Sequence, residues 1–124
     1  MSIQFDLLID SANAEDDAYE LKEFIDELHI SSMTTEIKEI QATDEQEIKH
    51  MGAEMIPEIL VALASAPAGV TFVNGLFECL KAYILSRTQK GQVILVKGNS
   101  KIVFNVDTVE KPKELIDKLI DIFK

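Results

Sequence analysis

The chain has 124 residues, 47% of them hydrophobic and 27% charged, and a net charge of −10. That is the size of one domain able to close an apolar core unaided, too short for a large catalytic barrel and too apolar for a disordered chain. The negative charge disfavours non-specific binding along phosphate, so nucleic acid is not an expected partner.

The first predicted element is a strand, because Ile3, Phe5, Leu7 and Ile9 alternate with Gln4, Asp6, Leu8 and Asp10. Ser11, Ala12 and Asn13 end it. Leu21, Phe24, Ile25 and Leu28 then follow helical spacing, and Glu15, Asp16 and Asp17 stand near the positive end of the helix dipole, which predicts an amphipathic helix from about Asp16 to His29. The β-branched residues around Ile37 and Ile40 read as a short strand from Thr35 to Ile40, followed by a polar connection over Thr43 to Lys49.

Past Gly52, the spacing of Met55, Ile56, Ile59, Leu60 and Leu63 predicts a helix, with Pro57 tolerated in its first turn. Ser65, Ala66, Pro67, Ala68 and Gly69 mark a break, and a second helix is expected from Val70 to about Arg87. Val93 to Val96 reads as a strand, Gly98 and Asn99 as a two-residue hairpin loop, and Ile102, Phe104 and Val106 as the returning strand. Leu115, Ile116, Leu119, Ile120 and Phe123 form the buried stripe of a closing helix from about Pro112 to Phe123.

The expected fold is therefore α+β with an α/β-like start: a small mixed four-stranded sheet packed by helices, in the order β-α-β-α-α-β-β-α, within a single domain over residues 1–124. The consecutive β-α-β start favours a right-handed crossover with parallel pairing of the first two strands.

Ile59 to Phe77 contains nineteen residues without a formal charge, between Glu58 and Glu78. Its length approaches that of a membrane span, yet Ser65, Pro67, Gly69, Thr71, Asn74 and Gly75 interrupt it and no cluster of Lys or Arg anchors one side. A pair of buried helices is the preferred reading, with a membrane-associated component as an alternative. The opening MSIQFDLLID has no basic segment followed by a continuous apolar run, so no signal peptide is expected and the cytoplasm is the default.

The sequence carries no motif for chemistry. Asp10, Asn13, Glu15, Asp16 and Asp17 crowd the end of the first strand and offer oxygen ligands, but without the spacing or glycine turn of a calcium loop. A small metal-dependent enzyme using these carboxylates is an alternative reading, and a solvated helix start is the preferred one. His29 and His50 have no set of convergent ligands around them, and Cys79 reads as a small buried hydrophobe. No phosphate-binding glycine loop, nucleophile elbow or cofactor motif occurs, so neither cofactor nor catalytic residues are expected.

The charge distribution fits ordinary solvated helix faces, and steering of a basic protein surface toward the N-terminal half is the alternative reading. Residues 1–58 carry sixteen acids against three Lys, and residues 59–124 carry six acids against nine Lys and Arg. Asp16 and Asp17 in the acidic half, and a basic patch of Lys81, Arg87 and Lys90 in the other, are the candidate interaction residues.

The helix ending in LVALAS, the small-residue turn APAG, the long helix reaching FECLKAYILSR and the hairpin VILVKGNSKIVFNV together resemble the effector-associated constant component family of bacterial conflict and defence systems. With the preceding β-α-β portion and the final helix, the resemblance spans nearly the whole chain. It rests on packing and turn patterns. It implies a noncatalytic adaptor or regulatory accessory module whose partner is an effector or signalling protein. Carried over, Arg87 is the basic residue that closes the long helix and Gly98 the glycine of the hairpin. The chain departs from the family's look in having LKAYIL where a tryptophan is frequent, and in its acidic first half.

Overall fold

Nine elements alternate between a sheet and a helical layer in the computed structural model, which describes residues 3–11, 14–28, 33–41, 55–63, 69–86 and 91–123. They are β1 (Ile3–Asp10), α1 (Ala14–Asp26), β2 (Met33–Gln41), β3 (Met55–Leu63), α2 (Gly69–Leu85), β4 (Gln92–Lys97), β5 (Ser100–Phe104), α3 (Val106–Val109) and α4 (Pro112–Ile122). The α+β class matches expectation, but the described sheet has five strands rather than four, in the order β2-β3-β1-β4-β5, and every pairing is antiparallel rather than mixed.

The extra strand is β3, where the spacing in the sequence predicts a helix. Ile59, Val61 and Leu63 point toward the helices and are fully buried, while Leu60 and Ala62 occupy the opposite face of the same strand. A central strand that is apolar on both faces loses its alternation and imitates helical spacing. Pro57 is compatible with this placement. The register with β1 ends at Leu8 opposite Glu58, so Pro57 borders only β2, where a strand tolerates a missing N–H.

β1 and β2 do run in the same direction across α1, but they are not neighbours: β3 lies between them, antiparallel to both. In the same way β3 and β4 flank β1. The order β1-α1-β2-β3-α2-β4 is thus the interlocked, split β-α-β pattern of ferredoxin-like folds, extended here by β5, α3 and α4. Of the expected break over Ser65 to Gly69, residues 65–68 lie outside the described residues and Gly69 opens α2; the expected connection over Thr43 to Lys49 lies outside the described residues as well.

The core fills the space between one sheet face and the helices. Phe5, Leu7, Ile9, Ile59, Val61, Val93, Leu95 and Phe104 meet Leu21 and Ile25 of α1, Leu76, Phe77 and Leu80 of α2, and Leu115 and Leu119 of α4. Phe123, just past α4, makes edge contacts with Phe5 at 5.2 Å and Phe72 at 5.4 Å between ring centroids, joining β1, α2 and the end of the chain. Phe24 and Tyr83 meet edge-on at 6.1 Å and tie α1 to α2.

The hairpin forms as its residues dictate: Lys97 pairs with Ser100, and Gly98 has φ 62°, the left-handed region that glycine enters without steric cost. The returning strand stops at Phe104 instead of continuing through Val106. Asn105 caps α3, its side-chain oxygen accepting from the Thr108 N–H at 2.9 Å while its own N–H donates to Thr108 Oγ1 at 2.8 Å. This reciprocal box satisfies two helix-end donors and turns the chain out of the sheet.

Candidate functional site

The first turn of α1 carries Glu15, Asp16 and Asp17, favoured there by the helix dipole. Their side chains part company. Asp17 turns inward, is buried, and accepts a hydrogen bond from Ser11 Oγ at 2.6 Å, which ties the start of the helix to the end of β1. Asp16 stays exposed.

With Ala18, Leu21 and Ile25 committed to the core, the outward side of α1 presents Glu15, Asp16, Tyr19, Glu20, Glu23, Asp26 and Glu27, all exposed. Tyr19 is 59% exposed, and Glu15, Asp16 and Glu23 are its neighbours at three and four positions along the helix. Lys22 is the one basic residue of the helix, and it is bound to Asp26 at 2.8 Å. Asp26 also accepts from Thr35 Oγ1 of β2 at 2.8 Å. Partial burial pushes the Asp26 carboxyl up, but the hydrogen bonds from Lys22 and Thr35 and the lysine charge outweigh it and hold the group below the ordinary carboxylate value. The result is an acidic helix face around one exposed aromatic ring.

The sheet face turned away from the helical core holds a second group of charges. Glu58 stands opposite Lys38 on β2 and Leu8 on β1, with Asp6 one step along on the same face. Burial raises the proton affinity of both carboxylates; the Asp6 charge raises that of Glu58 further, and Lys38 works against the rise at each. Farther along, Asp10 faces Gln92 across the β1–β4 pairing and accepts from its Nε2 at 2.8 Å, both residues being buried. Asp6 and Glu58 were not singled out from sequence, since their proximity depends on the register between β1 and β3.

The acids at the end of β1 therefore serve separate contacts: Asp10 reaches Gln92 on β4, Asp17 holds Ser11, and Asn13 lies outside the described residues. No group of three His, Cys, Asp or Glu placed to hold a metal occurs among the described residues. Lys81 is half-buried on α2, its Nζ 6.0 Å from the centre of the Phe77 ring, while Arg87 and Lys90 lie outside the described residues, as do His29 and His50. Cys79 is buried, and that burial, with the Glu27 charge adding to it, pushes its thiol up to about 12. Of the nineteen uncharged residues, 59–63 lie in β3 and 69–77 in α2, with 64–68 outside the described residues, and no described helix is long and apolar enough to cross a membrane.

The sequence matches no protein-family model and no curated protein. Among solved structures, the chain is similar to a phage SAM lyase in the apo state, with 7% identity and a TM-score of 0.44 over 86% of this chain and 91% of that one. It is likewise similar to a phage SAM lyase in complex with S-methyl-5'-thioadenosine, with 7% identity and a TM-score of 0.42 over 85% and 91% of the two chains. Similarity of this size carries no argument about activity.

Proposed function

We propose that the protein is a noncatalytic accessory module that binds a protein partner through the outward face of α1. The observation that carries this reading is the exposed ring of Tyr19 with exposed Glu15, Asp16 and Glu23 three and four positions from it along α1, on an outward face that also carries Glu20. Aromatic rings anchor interfaces by desolvating a large area at low entropic cost, and carboxylates around such a ring favour a partner surface rich in Arg or Lys. The acidic field speeds encounter, and the ring supplies contact area that persists once the pair has docked. The resemblance to effector-associated components supports an effector or signalling protein of a bacterial defence assembly as that partner.

The test is affinity capture from native extract at low and high salt, with the parent chain and an Asp16→Lys, Glu20→Lys, Glu23→Lys variant compared side by side. A stoichiometric basic protein retained by the parent, weakened by salt and lost from the variant is the expected result. Equal retention by the variant would remove α1 as the docking face.

A further inference from the structure

The outer edge of β2 ends the described sheet, and its pairing with β3 runs without a break from Met33 opposite Leu63 to Gln41 opposite Met55. A regular nine-residue edge without proline presents a row of backbone donors and acceptors to any strand that can lie beside it. Charged side chains usually block such pairing, and Glu36, Lys38 and Glu39 are all exposed here. Their order blocks some registers and favours another.

We infer that two copies of this chain join by antiparallel pairing of their β2 edges about a two-fold axis at Ile37, forming one continuous ten-stranded sheet from two five-stranded ones. In an antiparallel pair, residues directly opposite share a face, so a symmetric pair must be centred on a single residue. Centring on Glu36 sets that carboxylate against its own copy, and centring on Lys38 does the same to two ammonium groups. Centring on Ile37 sets Glu36 opposite Lys38 of the second copy, twice, with Thr35 opposite Glu39 and Ile37 opposite itself. Because Ile37 is the midpoint of Met33–Gln41, this register also pairs the strand over its full length. Sequence order thus selects the same alignment by charge and by length.

Each face of the joined sheet supports that alignment. Toward the helices, Ile37 is half-buried against the core beside Ile59 and Leu7, and its copy would continue that apolar row across the axis. On the other face, Lys38 lies opposite Glu58 of its own chain and would stand between that carboxylate and Glu36 of the second copy. The opposing term is the net charge of −10 on each chain. Asp26, held beside Thr35, is already paired with Lys22, so Glu39 of the second copy would meet a compensated carboxylate.

Sedimentation equilibrium over a concentration series, with circular dichroism to confirm folding, tests the register. The parent chain is expected to dimerise reversibly. Glu36→Lys makes the chain less negative, so general repulsion predicts tighter association; the Ile37-centred register predicts the reverse, because the introduced lysine would then face Lys38 of the other copy. The expected weakening is about tenfold, as it is for Lys38→Glu, and an equimolar mixture of the two variants should restore association as a heterodimer, the introduced lysine of one chain facing the introduced glutamate of the other. If Glu36→Lys does not fold, Glu36→Gln serves instead, with a smaller weakening expected. A parent that stays monomeric throughout, a Glu36 variant that associates as well as or better than the parent, or a mixture no stronger than its components would overturn the inference.

Discussion

The two faces of the sheet are both dry at the centre, yet they are built from different chemistry. Toward the helices, Phe5, Leu7, Ile9, Ile59, Val61, Leu63, Val93, Leu95, Ile102 and Phe104 are all buried and belong to one apolar cluster. On the opposite face Leu8 is 2% exposed and Ile94 0%, but Asp6, Asp10, Glu58, Gln92 and Lys38 share that surface. Burial alone therefore does not define the core. One face answers to volume and shape, the other to hydrogen bonding and charge.

The largest expected effect is on the helix side. Phe5→Ala removes a buried ring packed edge-on against Phe123 and should cost about 3–5 kcal/mol in denaturant unfolding, through lost transfer energy and the cavity left behind. Leu60→Ala, on the half-exposed side of β3, should cost clearly less. Equal losses at the two sites would dissolve the distinction between the faces.

A middle-sized effect belongs to Asp10 and Gln92. Removing the Gln92 side chain deprives a buried carboxylate of a donor, a loss of about 1–3 kcal/mol, whereas removing both partners should cost less than the two single losses together. A double-mutant cycle of Asp10→Ala and Gln92→Ala measures the difference, with an expected coupling of about 1 kcal/mol. Strict additivity would show that the pair contributes nothing jointly.

What was legible in the sequence follows the same division. β1, the hairpin at Gly98 and the stripe of α4 could be read because each has one apolar and one polar side, or a turn that only certain residues permit. β3 could not, since Ile59, Leu60, Val61, Ala62 and Leu63 are apolar whichever way they point. The insertion of β3 between β1 and β2 was equally hidden: local rules favour sequential neighbours, whereas strand order is fixed by packing of the entire sheet. At the candidate site, an acidic helix start containing Asp16 was visible, but the inward turn of Asp17 depends on Ser11. The exposure of Tyr19 follows from which face α1 buries, and the meeting of Asp6 with Glu58 requires the register.

The smallest effect concerns the sign of charge on the second face. Burial raises the folded-state proton affinity of Glu58 above its ordinary value of 4.5, with the Asp6 charge adding to the rise, and burial likewise raises Asp6 above 3.8; Lys38 only partly compensates. A raised carboxylate stabilises the fold most when protonated. That contribution is fully present below the ordinary value and is lost as pH rises through the folded one. Above that window both groups are charged and the fold bears the penalty, so Glu58→Gln should stabilise the protein at neutral pH by about 0.5 kcal/mol, the size of a cross-strand like-charge term. The gain should shrink as pH falls through the region just above 4.5. Asp26 behaves in the opposite sense, since its lowered value makes its contribution present above 3.8 and lost on further acidification. Comparing Glu58→Gln with the parent at each pH cancels that background. A variant less stable than the parent at neutral pH would mean that the pairing of Lys38 with Glu58 outweighs desolvation, and the second face would then be held together by its charges rather than strained by them.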